Sequence, residues 1–101
     1  MIYPGGIGTL AQTVAAGIPH LMVPHAHDQP DNAARVQKLG LGKCIYPEKY
    51  RGPAAALLLK ELLTDSQIMA RCKQFAGCID SDAALARSCE LIESLAFVNQ
   101  P

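Results

Sequence analysis

Tryptophan is absent from this 101-residue chain, and its aromatic residues are two phenylalanines and three tyrosines. Stacking platforms for nucleic-acid bases are therefore hard to build. Neither sign of charge is in excess: nine lysines and arginines balance nine aspartates and glutamates, with no basic run. That leaves no electrostatic footprint for a nucleic-acid backbone or an anionic membrane. Long apolar runs are missing too. The longest, Pro53 to Leu59, falls far short of the ~20 residues that cross a bilayer. No charged stretch followed by an apolar one opens the chain, so a secretory leader is not expected. The four cysteines, Cys44, Cys72, Cys78 and Cys89, lack Cys-x-x-Cys spacing and sit among apolar neighbours. They read as reduced, packed thiols of a cytoplasmic protein, with a disulfide or metal role as the alternative.

What remains is half hydrophobic, enough for one modest domain with a core and too short for two. Strands are expected at Met1 to Tyr3, His20 to Val23 and Gly42 to Tyr46. The middle one is a short apolar run between Pro19 and Pro24, as buried parallel strands are. A helix from Ile7 to Ala16 puts Leu10 and Val14 on one face and stops at Gly17. A second runs from Asp28 to Leu39, with Pro30 in its first turn and Gly40 at its end. Gly52-Pro53 opens a third through Leu63, and Thr64-Asp65-Ser66 recaps. Ile68, Cys72, Phe75 and Ile79 then recur at helical spacing, as do Leu85, Cys89, Ile92 and Leu95 after Ser81-Asp82. These later stripes read as core. Asn99 to Pro101 should fray. The order predicts an α/β, three-layer, Rossmann-like half domain: a short parallel sheet with right-handed crossovers and helices on both faces.

Two blocks carry the chemistry. Gly5-Gly6-Ile7-Gly8-Thr9 opens a helix, where unsatisfied N–H groups and the dipole favour an anion and the missing Cβ atoms let it come close. Asp28-Gln29 stands just past the second strand, where α/β folds keep their ligands. A phosphate cradle and a polar pair at successive strand ends suit a sugar nucleotide. Simpler readings stand beside these. The glycines could serve only a tight turn, Thr9 could be a cap, Gln12 could face solvent, and Asp28 could N-cap the second helix. His25 and His27 invite a zinc reading, but no third ligand is evident nearby.

Gly5 to Thr9, Ala16-Gly17-Ile18-Pro19 and Pro24-His25-Ala26-His27-Asp28-Gln29 together resemble the nucleotide-sugar signature of the UDP-glycosyltransferase family, of GT-B fold. The likeness is to its glucuronosyltransferase and macrolide branches. It continues more weakly through Asp31-Asn32-Ala33 and Leu39-Gly40-Leu41-Gly42, so it covers nearly the whole chain. It implies that Gly5, Gly6, Gly8 and Thr9 bind the donor diphosphate and that Asp28 and Gln29 hydrogen-bond the sugar hydroxyls. Gln12 stands where many relatives place a ribose-contacting glutamate. Pro4 replaces the histidine that normally precedes the glycine pair.

The resemblance implies an inverting glycosyltransferase that moves a hexosyl group from a UDP- or dTDP-sugar to an acceptor hydroxyl, with no metal ion and no other cofactor. Residues 1–101 would be the C-terminal portion of its donor-binding domain. The acceptor domain, which carries the catalytic base, is not in this sequence, so no catalytic residue is assigned. Two other readings compete: a non-catalytic fragment or assembly module, and a dinucleotide-binding module from Gly6-x-Gly8-x-x-Ala11. An open strand edge beside Tyr3 and the last apolar stripe predict a homo-oligomer.

Overall fold

The structure is a computed structural model that describes residues 1–98, so the fraying expected of Asn99 to Pro101 lies outside the described residues. Three parallel strands, β1 (Ile2–Tyr3), β2 (His20–Met22) and β3 (Gly42–Cys44), stand in the order β1-β2-β3. They are a residue or two shorter than expected. The ladder still runs past them, since Val23 N–H donates to Tyr3 C=O and Ile45 N–H to Met22 C=O, both at 2.9 Å. Register pairs Tyr3 with Met22 and His20 with Gly42. All three residues of β2 are buried, which requires cover on both faces.

Helix α1 (Ile7–Ala16) connects β1 to β2, and α2 (Gln29–Lys38) connects β2 to β3. Helix α1 ends because Gly17 takes φ +69°, the left-handed stop that its lack of Cβ permits. Leu10 and Val14 pack on the core. Thr13 is buried with its hydroxyl donating to Thr9 C=O at 2.7 Å, which removes the cost of a polar group inside. In α2 the buried residues are Ala33 and Val36, one turn apart.

After a single 3-10 turn at Pro47–Lys49 come α3 (Gly52–Thr64), α4 (Ser66–Ala76) and α5 (Ser81–Val98). Helix α3 lies on the Leu21 and Lys43 face of the sheet, where Leu62 is buried and Glu61 pairs with Lys43. Asp65 caps α4 by accepting from the N–H groups of Gln67 and Ile68 at 2.9 and 3.2 Å. Helix α4 turns Ile68 and Cys72 into the core, and Cys72 Sγ donates to Leu41 C=O at 3.4 Å.

Several expectations for the C-terminal third need correction. Ile79 lies beyond the end of α4 and is exposed, and the α5 stripe is not core. Leu85 is 66 % exposed, Ile92 66 % and Leu95 63 %. The strands are so short that α1 to α4 already cover them. Helix α5 makes at most glancing contact with the other elements. For the same reason Cys78 and Cys89 are exposed rather than packed, while Cys72 is buried and Cys44 half-buried.

Candidate functional site

The loop after β1 opens with Pro4 and then places a glycine where the backbone favours one. Gly5 is buried at φ +111°, and a Cβ there would meet Met22 Cε at 2.8 Å and Gln29 C=O at 3.4 Å. The same approach shows that the glycine loop lies directly against the start of α2. Both blocks therefore sit at the carboxyl ends of their strands, where α/β sheets hold ligands.

Gly6 and Gly8 differ from Gly5. Gly6 is the N-cap of α1 in ordinary extended backbone, φ −63° and ψ 145°, and Gly8 is helical. A Cβ at either would meet nothing within 4 Å. No side chain caps α1, and its first intrahelical bond is Leu10 N–H to Gly6 C=O at 3.0 Å. The N–H groups of Gly6, Ile7, Gly8 and Thr9 take no backbone acceptor among the described residues. They form a cluster of free donors at the positive end of a ten-residue helix. Thr9 lies inside the helix rather than capping it, and Gln12 is exposed one turn further along.

At α2 neither the acidic nor the amide side chain caps the helix. Asp28 occupies the N-cap position, but in helical backbone and with no side-chain cap hydrogen bond. Its Oδ2 instead accepts from Asn32 Nδ2 at 3.1 Å, and the carboxylate remains exposed. The Gln29 side chain ties the preceding loop to the start of the helix. Its Oε1 accepts from His25 N–H at 2.8 Å and Ala26 N–H at 3.2 Å, closing the loop back on the helix. That leaves the Gln29 NH₂ as its outward polar group. His27 closes the turn at φ +59°, an uncommon conformation for a residue with a Cβ.

Asn32 was not singled out as a site residue by sequence reasoning. Its Nδ2 donates to Gly5 C=O at 2.9 Å as well as to Asp28, so it joins the two blocks. Only its place in the weaker part of the motif hinted at it.

The hydroxyl of Tyr3, the residue before Pro4, is already committed inside the protein. It lies 2.6 Å from His20 Nδ1, in a buried pair. Burial raises the Tyr3 pKa to about 12. Burial and the nearby N-terminal ammonium lower that of His20 to about 4. Both are neutral at pH 7.

A cleft of about 400 Å³ lies beside the site rather than over it, sharing only Pro4 and His25 with the two loops. Among the described residues no group of three His, Cys, Asp or Glu side chains could hold a metal ion.

No protein-family model matches the chain. Individual proteins do. The chain is 29% identical over 97 residues to O-mycaminosyltylonolide 6-deoxyallosyltransferase of Streptomyces fradiae, covering 95% of this chain and 23% of that enzyme. It is 31% identical over 91 residues to the sterol 3-beta-glucosyltransferase of Pichia angusta, covering 90% of this chain and 7% of the relative. Its fold superposes on a crystal structure of the calicheamicin glycosyltransferase with a TM-score of 0.85 at 29% identity, over 98% of this chain and 26% of the other.

The chain belongs to the GT-B glycosyltransferases. It matches their C-terminal region, and it spans between 7% and 23% of the length of the two curated relatives. This family membership accounts for the parallel sheet and for the order of the three sequence blocks. No helix among the described residues is long and apolar enough to cross a membrane.

Proposed function

We propose that this chain binds the diphosphate of a nucleotide-sugar donor over the N-terminus of α1, with Asp28 and Gln29 reading the sugar hydroxyls and exposed Gln12 reaching the ribose. The observation that carries the reading is the pair Gly6 and Gly8. A helical glycine such as Gly8 costs about 1 kcal/mol relative to alanine, and nothing inside the protein requires either glycine, since a Cβ would meet open space. The room above four free N–H groups suits an anion that approaches the backbone closely. The exposed Asp28 carboxylate and the Gln29 NH₂ at the neighbouring loop offer an acceptor and a donor for a diol.

In this reading the chain supplies donor binding to an inverting glycosyltransferase. Its parent moves a hexosyl group from a UDP- or dTDP-sugar to an acceptor hydroxyl. Residues 1–101 act as part of the donor-binding domain, and the acceptor site and catalytic base lie outside them. Helix N–H groups stabilise the departing diphosphate, so no metal ion is needed for that step. Four free thiols suit a reducing, cytoplasmic setting. The exposed α5 stripe suits self-association into a homo-oligomer.

Titration of the ¹⁵N-labelled chain with UDP tests the reading. The amides of Gly6, Gly8 and Thr9 should shift before any others. Shifts confined to α4 and α5 would sink it.

A further inference from the structure

We infer that Asn32 is a positioning residue that aims the Gly6 N–H at the donor diphosphate and holds the sugar-facing carboxylate of Asp28 in register with it. The inference rests on the donor-binding reading above. Asn32 lies one turn into α2, partly buried, and is the side chain that touches both blocks. Its two partners, a carbonyl and a carboxylate, are pure acceptors, so the amide nitrogen with its two hydrogens must be the end that faces them. Both hydrogens are then used, at 2.9 Å to Gly5 C=O and 3.1 Å to Asp28 Oδ2.

The consequence for the loop follows from peptide geometry. The Gly5–Gly6 bond is trans, as are all peptide bonds among the described residues. In a planar trans peptide the C=O and N–H point in opposite directions. Asn32 holds the Gly5 carbonyl inward toward α2, so the Gly6 N–H is turned away from α2. It has no backbone acceptor there, and the space beside Gly6 is open. Gly5 at φ +111° lacks the Cβ that would restrict this peptide plane, so without Asn32 the plane could rotate and lose the donor. The second hydrogen bond fixes one oxygen of Asp28 and leaves the other free. A single amide therefore sets the spacing between the group that would meet the phosphate and the group that would meet the sugar.

The test compares the wild-type chain with Asn32→Ala and the isosteric Asn32→Asp, which keeps the shape but loses both donor hydrogens. Arg35→Ala serves as a control, since Arg35 pairs with Asp31 on the exposed side of the same helix. Binding of UDP is followed by amide shifts, and folding by thermal melting. Both Asn32 variants should bind UDP about tenfold more weakly, the scale of one lost hydrogen bond to a charged group. The Gly6 amide response should be reduced more than that of Thr9. Arg35→Ala should bind as the wild type does. Folded Asn32 variants that keep wild-type affinity and a full Gly6 response would overturn the inference and leave the donor reading intact. A wild-type chain that does not respond to UDP would remove both.

Discussion

At the scale of single residues, the three glycines of the loop have separable tasks. Gly5 is held by its positive φ and by the Met22 side chain, whereas Gly6 and Gly8 face open space. Gly8→Ala should therefore stabilise the fold by about 0.5–1 kcal/mol through helix propensity while weakening UDP binding. Thermal melting and UDP titration on the same sample check the opposed signs. An alanine that raised stability without loss of affinity would mean the space is not used. Pro4 supplies no side-chain donor at the position where the family resemblance implies a histidine. Tyr3 cannot substitute, because its hydroxyl is committed to His20. Pro4→His should tighten UDP binding, read by the same titration.

Among the elements, β2 is the one whose stability is tied to pH. His20 lies at its start, and the pair with Tyr3 is possible because Gly42 stands opposite in β3, where a Cβ would collide with the His20 backbone. The His20 pKa is lowered from its ordinary 6.5 to about 4, first by burial and then by the N-terminal ammonium. The unfolded chain therefore takes up the proton first. The stability this provides is complete above pH 6.5 and is lost as pH falls through about 4. At ~1.4 kcal/mol per unit, the loss is at most about 3.5 kcal/mol. Urea melts at pH 7 and pH 4.5 should show it. Tyr3→Phe should cost about 1–3 kcal/mol at pH 7 by leaving the buried imidazole nitrogen without its partner.

For the molecule as a whole, the defining feature is elongation. The radius of gyration is 17.3 Å, against about 13 Å for a compact chain of this length. The longest dimension is 64 Å, and α5, extending from the α/β body with its apolar stripe uncovered, accounts for the excess. Leu85 and Ile92 lie two turns apart on that stripe. Such a surface either meets a partner or drives association. The isolated chain should run as a dimer or larger species by light scattering at tens of micromolar. The double substitution Leu85→Glu, Ile92→Glu should return it to monomer without shifting the amides of the glycine loop. A wild-type chain that is already monomeric would end the homo-oligomer proposal.

The amino-acid sequence alone determined the elements and their order, because the signals are local. Gly17, Pro19 and Gly40 punctuate the chain, Asp65 caps α4, and apolar residues recur with the period of one helix turn. It also marked the candidate site, since a glycine-rich turn and a polar pair at strand ends are each contiguous in the chain. It did not determine which polar atoms are free. Capping rules offered Asp28 as the cap, yet the packed loop lets Gln29 reach the His25 and Ala26 N–H groups and leaves Asp28 to Asn32. Asn32 itself became visible only when folding brought α2 against a loop 27 positions away. The fate of α5 was likewise tertiary. A periodic stripe states that a helix has an apolar face, but burial depends on whether another surface stands opposite. Among the described residues α1 to α4 cover the sheet, and no element is left to cover α5.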